Sequence, residues 1–271
     1  MKENVMFKQL LVIVSLLASG TLAFAQSEPA YKKGTFYAFW GWNRGAYTNS
    51  DIHYKGNDYD FTLRDVKASD RPSSFSYHNY FQLDRITIPQ TNFRLGYFIK
   101  DNVAITIGVD HMKYVMNQNQ TVDIDGKVRP AFEDRINDGS IKLTEDFLIY
   151  EHTDGLNYIN SEIEFYKNYY HKGILKVNGL LGGGAGFLLP KTNATLMGED
   201  RHDAFHLSGF GLSAKAGVDV LLWDLFFLRS ELKEGYINMP SIRTTRDSSD
   251  KASQAFFFGE WTYTFGLSWH L

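Results

Sequence analysis

The chain has 271 residues, a formal net charge of −3 and no cysteine, and 15% of its residues are aromatic. The slightly acidic balance excludes a basic nucleic-acid-binding protein, and the absence of cysteine excludes disulfides, thiolate metal sites and a cysteine nucleophile. After the first 25 residues no stretch approaches the roughly 18 continuous apolar residues that a membrane-spanning helix needs.

The first 25 residues have the three parts of a secretory signal peptide. A basic start and a short apolar run precede Ala-Phe-Ala at residues 23–25, which is a small-residue cleavage site. The apolar run is too short for a transmembrane anchor. We therefore predict that residues 1–25 are removed on secretion and that residues 26–271 form one β domain.

Eight later segments alternate large apolar residues with small or polar ones. A period of two indicates strands with two different faces. The last segment is the clearest example, because Phe257, Trp261, Phe265 and Trp269 share one face while Thr262 and its alternate neighbours form the other. The eight predicted strands run over residues 34–44, 91–99, 103–116, 156–169, 174–189, 205–222, 225–238 and 254–271.

The connections between these strands alternate strictly between short and long. The short ones are turns at residues 100–102, 171–173 and 223–224, and a further hairpin turn is predicted at Asp125-Gly126 within a long connection. Short periplasmic turns and long extracellular loops are typical of outer-membrane barrels. We therefore predict an all-β fold: a closed antiparallel transmembrane β-barrel of eight strands.

A ten-stranded barrel is the alternative. It would require residues 58–66 and 81–88 to cross the membrane as well. Both segments carry many charges, so we expect them to pair as a hairpin above the membrane instead.

The cleavage motif, the eight alternating segments and the terminal sequence F-G-L-S-W-H-L resemble the small eight-stranded outer-membrane barrels of Gram-negative bacteria. The resemblance implies residence in the outer membrane, contact with its lipids and lipopolysaccharide, and insertion as a monomer by the outer-membrane assembly machinery. That machinery recognises a terminal strand with alternating aromatic residues. The terminal Phe usual in such proteins is Leu271 here.

The strand phases predict a cluster of charges that point into the lumen. In each strand the larger apolar residues are expected to point outward to lipid, so the alternate positions point inward. Seven inward charges then lie about four to seven residues from the nearest short turn, which is a layer about 8 Å thick at about 3.3 Å per residue and a tilt near 40°. These residues are Arg94, Asp110, Glu162, Glu164, Lys215, Arg229 and Glu231.

The lumen of an eight-stranded barrel is just wide enough to be filled by side chains. We therefore expect the charges to form a salt-bridged plug, with Arg94 beside Asp110 and Lys215 beside Glu231. The alternative is a narrow passive channel or small-solute conduit. Lys176, Asp219, Lys233 and Glu260 also point inward, and Glu260 is predicted to lie above the plug at the level of a gate.

One motif suggests chemistry. His206 and Ser208 share a strand face, which is similar to the His-x-Ser-Asn motif of the lipid A deacylase barrels, although Gly209 stands where that family has Asn. A lipid A or phospholipid hydrolase is therefore a further alternative. Triad chemistry needs an acid to orient the histidine, and none lies at the matching distance downstream, so we expect no catalytic site.

The long loops suggest contact surfaces. Residues 199–203 (Glu-Asp-Arg-His-Asp) could hold a divalent cation, but their irregular spacing favours a solvated loop, and we predict neither a metal site nor a cofactor. Tyrosines in the first loop suit contact with an extracellular ligand, since tyrosine is frequent at recognition sites. These tyrosines are Tyr47, Tyr54, Tyr59, Tyr77 and Tyr80. The sequence thus predicts a structural or interaction barrel.

Overall fold

The computed structural model describes residues 29–74, 76–80, 82 and 89–271. The predicted signal peptide lies outside the described residues, as does residue 81 and the segment 83–88. No helix in the described part of the chain is long and apolar enough to cross a membrane.

The described residues are almost entirely β-structure, with two short helical turns at Tyr77–Tyr80 and Pro130–Glu133. In chain order the strands are β1 Thr35–Tyr47, β2 Ser50–Lys55, β3 Asp60–Val66, β4 Ala68–Ser69, β5 Thr91–Lys100, β6 Val103–Met116, β7 Thr121–Lys127, β8 Ser140–Lys142, β9 Leu148–Lys172, β10 Leu175–Leu188, β11 Lys191–Leu196, β12 His202–Phe205, β13 Gly209–Leu222, β14 Phe226–Arg243 and β15 Lys251–His270.

Eight of these strands form the barrel. They pair antiparallel in the order β1-β5-β6-β9-β10-β13-β14-β15, and β15 pairs back with β1 over thirteen positions from Thr35↔His270 to Tyr47↔Phe258. Every strand therefore has a neighbour on both sides, which leaves no unpaired edge to face lipid. The predicted all-β fold with eight antiparallel barrel strands is confirmed.

The outer wall of the barrel is an exposed apolar band. Large apolar side chains point outward at alternate positions, and about half of each is accessible, as for Ile107 (56%) and Phe165 (56%). Further members of this band are Phe93, Leu95, Tyr97, Ile105, Ile163, Val218, Leu228, Leu232, Trp261, Tyr263, Phe265, Leu267 and Trp269. An apolar surface that surrounds a barrel is stable in lipid and not in water.

The three short turns lie where the sequence predicts them. Each contains residues with positive φ, as tight turns between antiparallel strands require. Asn102 has φ 62°, Gly173 has φ 59°, and Trp223 and Asp224 both have φ 55°. These turns fix the strand order and define the periplasmic end of the barrel.

The extracellular ends of the barrel strands continue into a second layer of sheet. β2 pairs with the start of β15, and β3 and β7 follow at its far edge. On the opposite side, the start of β9 pairs with β11, which forms a hairpin with β12. The sixth barrel strand accordingly starts at Gly209 and not at residue 205, because residues 202–205 belong to β12.

One prediction about the long loops is wrong, and another falls partly outside the described residues. Residues 60–66 form β3, which pairs with β2 and β7, whereas residue 81 and residues 83–88 of the predicted hairpin lie outside the described part of the chain. Asp125 and Gly126 lie inside β7 and not in a turn. Gly126 has φ 108°, and a Cβ there would lie 2.3 Å from the backbone oxygen of Asp60, so glycine is needed for close strand approach.

The extracellular layer encloses an apolar core that we call the roof. Its side chains come from the extracellular strands and from the upper ends of the barrel strands, and Phe61, Phe147 and Tyr150 among them are at most 1% exposed. Tyr54, Tyr59 and Tyr80 are buried as well, which contradicts the prediction that they form a contact surface, whereas Tyr77 is 74% exposed. The loops are therefore a folded layer and not solvated tethers.

We expect Phe61→Ala to loosen the roof. The ring of Phe61 stacks on Tyr54 at 5.2 Å and contacts Phe147 at 6.0 Å, and removing a buried ring of this kind costs about 3–5 kcal/mol. In limited trypsin digestion of the folded protein, the variant should be cleaved within the extracellular layer faster than the wild type. Tyr77→Ala, at an exposed position, is the control, and equal cleavage of both variants would contradict a packed roof.

Candidate functional site in the barrel lumen

A network of buried ions crosses the middle of the lumen. Nine side chains are joined by ion pairs into one group, which we call the lumen cluster, and each is at most 2% exposed. It contains four basic and five acidic residues: Arg94, Lys215, Arg229, Lys233, Asp110, Glu162, Glu164, Asp219 and Glu231. Successive side chains of a strand point alternately to its two faces. These nine residues occupy the inward positions of the barrel strands, and the apolar residues of the outer wall occupy the outward ones.

Lys215 is at the centre of the lumen cluster. Its ammonium nitrogen lies 2.7 Å from Glu162, 2.6 Å from Glu164 and 3.1 Å from Glu231. The three carboxylates come from β9 and β14, the strands on either side of the β10–β13 pair. Gly182 on β10 leaves room for this contact, since a Cβ there would lie 3.2 Å from Cε of Lys215 and 3.3 Å from Cγ of Glu164.

A second set of contacts joins strands on opposite sides of the lumen. Lys233 lies 2.5 Å from Asp110 and 2.8 Å from Glu162, and Arg94 lies 2.8 Å from Glu162 and 3.3 Å from Asp110. The amide of Asn160 donates to Asp110 (2.8 Å) and accepts from Arg94 (2.9 Å). Asp110 therefore has two cations and two amide donors, and Glu162 has three cations, which offsets the cost of removing these carboxylates from water.

Arg229 is held differently, by rings as well as by carboxylates. Its nearest carboxylate oxygen, on Asp219, lies 3.5 Å away. The guanidinium carbon lies 4.7 Å from the ring centre of Phe227 and 5.0 Å from that of Tyr37. A desolvated cation between aromatic faces is stabilised by their quadrupoles. Arg229 therefore connects the lumen cluster to the aromatic residues beneath it.

The seven predicted lumen residues all lie in this network, and both predicted pairs are in contact. The strand phases predict Asp219 and Lys233 inside the barrel but outside the charged layer, whereas the structure joins both to the layer. Distance from a turn ignores the stagger between strands, which brings residues of different height to one level across a barrel. Lys176 lies apart, near the periplasmic turn, paired with Asp224 at 2.7 Å.

Glu260 lies at the upper edge of the lumen cluster. Its carboxylate accepts a hydrogen bond from Asn92 (2.9 Å), which also donates to Asp110 (2.8 Å). Glu260 is 2% exposed and is linked to the cluster through an amide, without an ion pair of its own among the described residues. Glu260 is directly opposite Lys233 of the cluster in the register of β14 and β15, so it lies beside the cluster and not above it at the level of a gate as predicted.

Below the lumen cluster, an aromatic layer fills the periplasmic half of the lumen. Its members pack as one buried group: Ala30, Tyr31, Tyr37, Phe39, Phe98, Ala104, Tyr166, Leu180, Leu221 and Phe227. The hydroxyls of Tyr37 and Tyr166 donate to Glu164, and that of Tyr31 donates to Asp219. These residues therefore pack directly below the ions and donate hydrogen bonds to two of their carboxylates.

Tyr31 is a functional candidate that the sequence gives little means to find. It precedes β1 and has no strand periodicity around it, yet it is 4% exposed and stacks on Phe98 at 4.6 Å. Its backbone carbonyl accepts from the amide of Asn102 in the first short turn (3.0 Å). The segment before β1 thus turns into the periplasmic mouth.

Above the lumen cluster, the roof covers the extracellular mouth. His152 is buried there between the rings of Tyr150 and Tyr114, at 5.1 and 5.6 Å. Burial lowers the pKa of His152 to about 3, and its Nδ1 lies 3.0 Å from the hydroxyl of Thr192. The histidine is therefore neutral at ordinary pH.

His206 and Ser208 do not form a nucleophile and base. The hydroxyl of Ser208 donates to the backbone oxygen of His206 (3.1 Å), and the His206 ring lies 3.4 Å from the hydroxyl of Ser241. Ser208 is 2% exposed. The histidine ring and the Ser208 hydroxyl are thus each engaged elsewhere, without the mutual hydrogen bond that activates a serine.

The extracellular loops form a polar pocket of about 490 Å³. Arg129 crosses one side of it and pairs with Asp58 (2.8 Å) and Glu199 (2.6 Å). Asp203 pairs with Arg201 at 3.3 Å, so this acidic segment is largely neutralised by its neighbours. In the described residues, no group of three or more His, Asp or Glu side chains is arranged to hold a metal ion.

The chain is similar to known proteins in structure, but no related sequence is found. No protein-family model and no curated protein matches the chain. OprG, an outer-membrane protein of Pseudomonas aeruginosa, is 13% identical and has a TM-score of 0.45, with 89% of this chain and 98% of that chain covered. The outer-membrane protein AlkL is 10% identical, with a TM-score of 0.41 and coverage of 92% and 96%. The attachment invasion locus protein Ail of Yersinia pestis is 11% identical, with a TM-score of 0.33 and coverage of 88% and 99%.

The compartment follows from the geometry of the chain itself. A cyclic order of eight antiparallel strands with an apolar outer wall satisfies every backbone group in lipid, and such single-chain barrels are the architecture of the outer membrane. The chain is therefore an outer-membrane β-barrel protein.

We expect Lys215→Met to destabilise the barrel strongly. The substitution leaves three carboxylates buried around an apolar side chain, and breaking a buried ion network in this way costs about 3–5 kcal/mol. Urea unfolding in lipid vesicles measures the loss. Lys176→Met removes a cation whose partner is exposed and should cost about 0–1 kcal/mol. Equal losses for the two variants would contradict the central role of Lys215.

We also expect the roof to lose stability in acid because of His152. The folded pKa is about 3 and the unfolded value about 6.5, so the unfolded chain binds a proton first as the pH falls. Stability should fall by about 1.4 kcal/mol per pH unit below pH ~6.5. Thermal unfolding at pH 7.5 and pH 5 checks this, with His152→Gln as the variant that should lose less on acidification. An equal loss in both proteins would contradict this assignment.

Proposed function

We propose that the protein is a non-enzymatic outer-membrane barrel whose lumen is occluded by the lumen cluster and whose extracellular layer serves a structural or interaction role. The observation that carries the proposal is the continuous filling of the lumen. Ion-paired side chains occupy its middle, aromatic rings lie below them and the roof lies above.

Solute passage would require several of these contacts to open at once. A water-filled path past Lys215 would separate it from three carboxylates, each within about 3.1 Å. A path through the periplasmic half would in addition displace Tyr31 and the rings that stack on it. The cost of these steps favours an occluded barrel over a passive channel.

The extracellular layer supports the interaction part of the proposal. Long loops that were only tethers would be polar and mobile, whereas these strands share a core of buried aromatic and aliphatic side chains. Ligand recognition by proteins usually depends on loops that a rigid scaffold holds in place. The loops that form the polar pocket are held in this way by the extracellular layer. We propose that the chain acts as a monomer, inserted by the outer-membrane assembly machinery through β15, and that lipopolysaccharide surrounds it.

The test is electrical. The protein, folded into planar lipid bilayers, should show no steady conductance steps above the leak of the bare membrane. Correct folding is verified beforehand by the shift in gel mobility between unheated and boiled samples. Steady, reproducible channels from folded protein would overturn the occluded lumen and favour the narrow channel.

A further inference from the structure

An unusual row of like charges crosses three neighbouring extracellular strands. Arg243 on β14 is directly opposite Lys251 on β15, and Lys251 is directly opposite Lys55 on β2. Residues that are opposite each other in antiparallel strands point to the same face with their Cβ atoms about 5 Å apart, and like charges in such positions are destabilising. We call these three residues the basic row.

The described part of the chain provides little neutralisation for this row. Lys55 has one carboxylate partner, Asp60, at 3.6 Å, and both side chains are more than half exposed. No ion pair among the described residues involves Arg243 or Lys251, whereas other extracellular cations such as Arg64 and Arg129 each have two acidic partners. The repulsion is therefore left for something outside the chain to relieve.

Two histidine rings lie close to the cations of this surface. Burial, then the charges of Arg243 and Arg246, lower the pKa of His202 against the opposing effect of Asp203, so this ring is neutral and adds no charge to the row. His206 lies next to β14, with its ring 3.4 Å from Ser241. The residues that flank His206, Phe205 and Leu207, are 59% and 60% exposed and belong to the apolar outer surface.

The basic row lies above lipid and not above the lumen. Lys251, Phe257 and Trp261 occupy the same face of β15, and Phe257 (56% exposed) and Trp261 (47% exposed) belong to the outer wall. Lys251 is six residues beyond Phe257, which is about 15 Å along the membrane normal at ~3.3 Å per residue and a tilt near 40°. The row thus faces the polar layer just outside the hydrocarbon.

We propose that the basic row, with Arg243 and Lys251 as its main members, binds phosphate groups on the saccharide of outer-leaflet lipopolysaccharide. Guanidinium and ammonium groups are the usual protein partners of phosphate, and an anion between Arg243 and Lys251 would remove their mutual repulsion. A soluble polyanion would have no reason to prefer a face continuous with the lipid-facing wall. The inference rests on the outer-membrane placement in the proposed function, but not on whether the lumen is occluded.

The test measures binding of fluorescent rough-type lipopolysaccharide to the full chain in phosphatidylcholine nanodiscs. We expect R243Q/K251Q to bind at least tenfold more weakly than the wild type. The matched control, K67Q/K142Q, removes two exposed cations outside the row and should stay within twofold. Dephosphorylated lipopolysaccharide should bind the wild type at least tenfold more weakly. The conservative variant Arg243→Lys should retain most binding, which separates loss of charge from misfolding.

Three results would overturn the inference. The double variant could bind as well as the wild type, dephosphorylation could leave binding unchanged, or soluble polyphosphate could compete as effectively as unlabelled lipopolysaccharide in the nanodisc. In each of these cases the conductance measurement still stands, so failure of this inference is distinguishable from failure of the occluded barrel.

Discussion

The constraint on which this structure depends is the burial of charged side chains in the lumen. An eight-stranded barrel has an interior that side chains fill, and this chain places nine ionised groups there. Ions removed from water are tolerated only when each has a counterion and satisfied hydrogen bonds. The tyrosines and asparagines around the lumen cluster therefore contribute as well as its charges, because Tyr37, Tyr166 and Asn160 form hydrogen bonds with cluster members in addition to the ion pairs.

The same constraint explains the two layers that border the lumen cluster. The aromatic layer and the roof are buried apolar groups on either side of the lumen cluster, and a low local dielectric strengthens each buried ion pair. The aromatic layer also contacts the ions directly. The guanidinium of Arg229 lies over the ring of Phe227, and Glu164 accepts hydrogen bonds from two tyrosine hydroxyls. The lumen is thus one continuous core in which apolar and ionic parts support each other, although its outer wall faces lipid and not water.

The architecture of the barrel could be predicted from the sequence, but the architecture of its loops could not. Strand periodicity is strong where one face meets lipid, and the short turns carry clear signals at Asn102, Gly173 and Trp223. In the extracellular layer both faces of a strand are partly polar, so the periodicity is weak. The sequence therefore predicts a turn at Gly126, although this residue lies within β7. Residue type alone does not show whether a loop tyrosine is exposed or buried, and Tyr54 is buried in the roof.

The lumen cluster could be anticipated only in part, for a related reason. Alternation identifies which charges point inward, and it predicts Arg94 and Lys215 correctly. It gives no measure of strand stagger, so it does not predict that Lys233 and Asp219 belong to the layer. Tyr31 has no periodic pattern at all, and only the folded chain shows that it enters the barrel.

The distribution of the lumen cluster along the chain has a consequence for assembly. The first four barrel strands contribute one cation and three carboxylates (Arg94; Asp110, Glu162 and Glu164), a net charge of −2, while the last four contribute three cations and two carboxylates (Lys215, Arg229 and Lys233; Asp219 and Glu231), a net charge of +1. The two half-sheets therefore attract each other, whereas two copies of the same half repel. Opposite charges favour the correct partner and like charges disfavour the wrong one. A growing sheet of this chain is thereby biased to curl onto its own second half and not to join the equivalent half of a neighbouring molecule.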